Sequence, residues 1–222
     1  MSDKELVPYG AVAQEVFSFF GNIAFSAEQN KYISENMTRH THAIVNDKCS
    51  VEEFCKSIFK LMEEMHSMSL KIPEAILTRW YTSWDGTIRS KEDRESPLES
   101  GIFLLSSFID GRILTFKPQV AESPAFHEFV RKVISDSRFG TGRTGFIAQL
   151  LPKTKISEKI DFVPFLKDKR YAGRTILALL KMKDGRFVKE AEEMLEEDPK
   201  NFYRGQIKLY IDRYRDQDQE TK

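Results

Sequence analysis

Apolar residues recur at spacings of three and four along nearly the whole chain, and no convincing five-residue stretch alternates as a strand would. That period is helical and predicts an all-α fold with short connections, a compact multi-helix protein of two helical lobes. Val12, Val16, Phe17, Phe19, Phe20 and Phe25 form the first apolar stretch. It reads as a first core helix, the alternative being an arm exchanged with a neighbouring subunit. Ser26 with Gln29, and Ser50 with Glu53, have capping-box spacing. They predict one helix over 27–46 and a second that puts Phe54, Ile58, Leu61, Met62, Met65 and Met68 on one side. Pro73 fits the first position of a third, carrying Ile76, Leu77, Trp80 and Trp84.

Residues 85–95 break the pattern, with charged residues and one apolar side chain, Ile88. They predict a polar loop or hinge between an N-terminal lobe, 1–84, and a C-terminal lobe, 96–216. Ser96, Pro97 and Glu99 open the next helix, which the pattern stops at Asp110 and Gly111, with a brief extended stretch before Pro118. Ser123 and Pro124 repeat the start, and Phe126, Phe129, Val130, Val133 and Ile134 follow as an amphipathic face. A loop over 140–145 leads to a short helix capped by Thr144 and ended by Pro152. Helices over 173–183, 186–197 and 201–216 complete the reading, with a disordered tail at 217–222.

The chain has 222 residues, of which 41% are hydrophobic and 31% charged. A real core can therefore be buried under a polar surface. Two cysteines exclude a disulfide-dense scaffold. No apolar run approaches the length of a membrane span, and the opening Met1–Glu5 lacks the features of a signal peptide. These readings predict a cytoplasmic protein without membrane contact.

Charge changes the picture more. Lys and Arg total 34, as do Asp and Glu, so the formal net charge is zero. Over residues 131–189, however, 15 basic residues face 5 acidic ones, a net of +10. Phosphate contacts need cations at several points, and aromatic rings between them can stack bases without sequence preference. The expected nucleic-acid-binding residues are Arg131, Lys132, Arg138, Arg143, Lys153, Lys155, Lys167, Lys169, Arg170, Tyr171 and Arg174. Phe139, Phe162 and Phe165 also lie in the block, with Phe162 and Phe165 read as core. The competing reading is a solvated basic face balanced by acidic segments, Glu190–Glu197 above all.

Motifs for chemistry are sparse. Gly140, Gly142 and Gly145 match G-x-G-x-x-G, but they follow a predicted helix rather than a strand. They nearly make a phosphate loop, yet Phe146 and Ile147 stand where its lysine and hydroxyl belong. What remains is a loop whose amides, beside Arg138 and Arg143, could approach a phosphate. Glu63 and His66 form a single Glu-x-x-His pair, and Cys49 and Cys55 lack zinc-ligand spacing. No catalytic residue, metal site or cofactor is assigned. The function expected is non-catalytic, sequence-independent binding of single-stranded RNA or another polyanion by a homo-oligomer of nucleocapsid or coat type, an analogy of design rather than of sequence. The alternative is a protein-interaction module using an aromatic or Met-rich surface.

Overall fold

Side-chain caps at Ser26, Ser50, Ser96 and Asp168 set the starts of four helices. The computed structural model describes residues 6–20, 25–81, 96–154, 156 and 160–219. Every regular element among them is helical, so the fold is all-α. No helix among the described residues is long and apolar enough to cross a membrane. The chain divides into two units, residues 1–145 and 146–222. The expected hinge at 85–95 lies outside the described residues.

In the first unit, α1 (Tyr9–Phe20) packs on α2 (Ala27–Val45), which packs on α3 (Val51–Ser69). Helix α4 (Glu74–Tyr81) follows, and α5 (Pro97–Phe108) then lies against both α1 and α3. Elements on either side of residues 82–95 thus share one core. The helix starts at Ser26, Ser50 and Ser96 each form both hydrogen bonds of a capping box, with Gln29, Glu53 and Glu99. Val12, Val16 and Phe20 of α1 are buried. Met62 and Met65 are buried in α3, so these thioethers fill the core and do not form a binding surface. Cys55 is buried on the same helix, and burial pushes its thiol up to about 12.

The expected stop at Asp110 is not taken. The chain continues through a wide helical turn, Ile109–Ile113, into the single turn α6 (Leu114–Phe116). The extra residue in that turn re-phases the helix, so that Ile109, Ile113 and Leu114 are all buried. Helix α7 (Pro124–Ser135) starts at its proline, but Ser123 makes no side-chain cap bond. The expected loop at 140–145 is instead a 3-10 turn, Ser137–Gly142, and a helical turn, α8 (Arg143–Gly145). Thr144 is buried inside that turn rather than standing ahead of a helix as its cap.

The second unit opens with helical turns over Phe146–Leu150 and Leu151–Lys153. Helices α9 (Val163–Lys167), α10 (Lys169–Met182), α11 (Val188–Glu197) and α12 (Arg204–Gln219) follow. Helix α10 begins four residues before the expected Gly173, because Asp168 caps it. Helix α12 runs into the expected tail, as far as Gln219. Tyr210 is fully buried in the core of this unit. Its hydroxyl donates to the Asp184 carbonyl at 2.7 Å and accepts the Phe187 amide at 3.2 Å, which fixes the turn before α11.

Candidate polyanion-binding face

One four-residue pattern occurs three times in the basic block: Asp136-Ser137-Arg138-Phe139, Asp168-Lys169-Arg170-Tyr171 and Asp184-Gly185-Arg186-Phe187. Each copy folds alike. The aspartate accepts the backbone amide of the arginine two residues on, at 3.1, 2.9 and 3.3 Å. The guanidinium then turns back onto the same carboxylate. Its Nε reaches Oδ1 at 2.9, 3.1 and 2.9 Å, and its Nη2 reaches Oδ2 at 2.6, 2.7 and 2.7 Å. Two parallel charge-assisted bonds make a fork that a lysine could not form. The next ring is buried and lies 5.7, 5.7 and 5.1 Å from the guanidinium carbon.

These arginines are therefore engaged where they stand. Arg138 is bound further, by Glu63 of α3 at 3.1 Å. The bonds to Asp136 and then Glu63 raise its pKa, and the Arg138 bond holds the Asp136 carboxyl below the usual carboxylate range. Tyr171 requires a correction. It is 3% exposed and stands edge-on to Phe165 at 5.5 Å, so its ring cannot stack a base. Phe139 and Phe162 are core residues as well.

The remaining first-unit residues are also committed. Arg131 pairs with Glu128 one turn back on α7. Arg143 donates to the Gly140 carbonyl at 3.0 Å and the Ile134 carbonyl at 2.9 Å, satisfying the end of α7. Lys132 is exposed and holds its ammonium 3.6 Å from the centre of the Phe59 ring. It rims a hollow of about 300 Å³ between α3 and α7, lined also by Cys55, Ala125 and Phe129.

The glycines beside Arg143 do not cradle a phosphate. Gly140 has φ +49 and ψ −139, a region open to glycine alone, and a Cβ there would stand 2.1 Å from Oε1 of Glu99. That oxygen accepts the Thr141 amide at 2.7 Å, while Oε2 accepts the Ser96 amide at 2.6 Å. An internal carboxylate thus fills the anion position of the loop. Gly142 and Gly145 press on α5, where a Cβ would lie 2.5 Å from the Glu99 carbonyl and 2.0 Å from Ser106 Oγ. The motif is a helix-packing stripe.

In the second unit the picture differs. Helix α10 has four basic residues and no acidic one. Positions 170, 174 and 181 fall within about 40° around the helix axis, so Arg170, Arg174 and Lys181 share one face. The buried residues of α10, among them Ala172, Ile176 and Leu179, lie on the other side. Arg170 and Lys181 are exposed and Arg174 is half-exposed. Lys181 also donates to the Ala148 carbonyl at 2.9 Å. Lys167, Lys169 and Lys183 stand exposed at the ends of α10 and make no ion pair among the described residues. Lys153 is exposed too, and Lys155 lies outside the described residues. Among the described residues no group of three His, Cys, Asp or Glu could hold a metal ion.

No family model, curated protein or solved structure matches the chain.

Proposed function

We propose that this chain is a non-catalytic helical protein that binds single-stranded RNA, as a polyanion, without reading its sequence. The observation that carries this reading is the face of α10. It has cations on one side along its length, no acidic residue, and lysines at both ends. Arg138, Arg170 and Arg186 are each offset by an aspartate two residues away. Lys167, Lys169 and Lys183 make no ion pair among the described residues, so these lysines bring charge without an acidic partner to the ends of α10. Lysine offers a point charge that suits phosphate without base readout, which fits binding through the backbone.

The test is fluorescence anisotropy of a labelled single-stranded RNA. The double substitution Lys169→Glu with Lys181→Glu should weaken binding at least about tenfold at low salt. It should also flatten the slope of log affinity against log salt by about 1.4, the share of two phosphate contacts. The far-UV circular dichroism should not change, because both side chains are on the surface. Unchanged affinity in the folded variant overturns the reading.

A second reading, a protein-interaction module with an aromatic surface, is favoured by Phe202, which is 91% exposed just before α12, and by Phe17 on α1. Binding through such rings would respond weakly to salt, which separates the two readings in the same titration.

A further inference from the structure

Helix α11 is the electrical counterpart of α10. It contains five glutamates and one lysine, a net of −4, against the +4 of α10. Val188 and Ala191 bury its inner side, while Glu193, Glu196 and Glu197 carry charge along the rest of it. The charged run on α11, from position 189 to 197, is about 12 Å long, and that on α10, from 170 to 181, is about 16 Å. Within the chain, the ion pairs of α11 tie Lys189 to Glu193 and Glu192 to Arg215 of α12. Two faces of opposite sign and similar length therefore belong to one unit.

We infer that the α10 face of one copy docks on the α11 face of a second copy, so that the protein associates with itself. The inference rests on reading the α10 face as a seat for a polyanion, of which the glutamates of α11 are a protein counterpart. The two patches differ, so each copy offers both halves of the contact. The same cations cannot hold both partners, so RNA and the second copy compete for α10. The attraction crosses water-exposed surfaces and is screened as the Debye length shrinks.

Charge exchange tests this contact whatever the symmetry of the assembly. One variant carries Arg174→Glu and Lys181→Glu, which takes α10 from a net of +4 to zero and removes its attraction for α11. The other carries Glu193→Lys and Glu196→Lys, which takes α11 from a net of −4 to zero, so an equimolar mixture still holds one intact pair of opposite faces, the α10 of this variant and the α11 of the first. By sedimentation velocity at about 50 mM salt, the wild type should exceed its 25.8 kDa chain mass as concentration rises, and return to it at about 0.5 M salt. Each variant alone should stay at the chain mass, and their equimolar mixture should associate again. Recovery in the mixture also shows that both variants are folded. A wild type that stays at the chain mass at low salt, a variant that associates alone, or a mixture that fails to associate overturns the contact.

Labelled RNA separates this outcome from the function proposed above. The α11 variant keeps the α10 cations and should bind RNA at least as tightly as the wild type. Recovery in the mixture, with no RNA bound by any form, supports the self-contact and overturns the RNA reading alone.

Discussion

Replacing Gly140 with alanine is expected to destabilise the first unit by about 3 kcal/mol, a large share of the stability of a domain this size. Two separate costs add. An L-residue at φ +49 with ψ −139 is strained by about 1 to 3 kcal/mol. The new Cβ would also meet the Glu99 carboxylate 2.1 Å away, and that carboxylate holds the Thr141 and Ser96 amides together. Pushing it aside breaks the capping box of α5, worth about 1 kcal/mol, and leaves an amide in the glycine turn without its acceptor. Both tryptophans, Trp80 and Trp84, belong to residues 1–145, so indole fluorescence during urea unfolding follows this unit. A double-mutant cycle with Glu99→Ala separates the two costs. With the carboxylate gone, Gly140→Ala should cost only the backbone strain, leaving a coupling of about 1 kcal/mol or more. A loss below about 1 kcal/mol in the wild-type background would show that the turn relaxes around the new side chain.

The same carboxylate marks the limit of what is legible in the sequence. Its bond to Ser96 spans three residues, and the capping boxes at Ser26, Ser50 and Ser96 can all be read from spacing. Its bond to Thr141 spans 42 residues and leaves no local signal, so the glycines read as a loop open to phosphate. The wide turn at Ile109–Ile113 escapes a local reading for a related reason. Asp110 and Gly111 are good stop residues, and the burial of Ile109, Ile113 and Leu114 overrides them. The Asp-x-Arg-aromatic clamps are different. Their bonds reach only two residues, so the repeated spacing carries them; counting charge alone hides them. The face of α10 also follows from spacing, but only once Asp168 is recognised as its cap. A helix begun at Gly173 leaves Arg170 outside it.

Gly173→Ala should destabilise the second unit by about 1 to 3 kcal/mol, although the same change inside most helices stabilises. Gly173 is buried in α10, where glycine is normally worse than alanine by about 1 kcal/mol. Here an added Cβ would stand 1.9 Å from Cδ2 and 2.3 Å from Cγ of the Tyr203 ring. Those are ring atoms near the root of a stiff side chain, so the whole ring has to move. Its backbone amide is held by Asn201 Oδ1 at 2.8 Å, which anchors the residue at the start of α12. The overpacking cost thus outweighs the helix-propensity gain, and the sign reverses. Removing the ring should restore the usual sign. In a Tyr203→Ala background, Gly173→Ala is expected to stabilise by about 0.5 to 1 kcal/mol. Thermal unfolding by scanning calorimetry, with the indole signal of Trp80 and Trp84 marking the transition of the first unit, reads the second unit, which holds no tryptophan. If Gly173→Ala is stabilising in both backgrounds, the close packing of Tyr203 on α10 is wrong. If it is destabilising in both, an obstacle other than the ring excludes a side chain at this position.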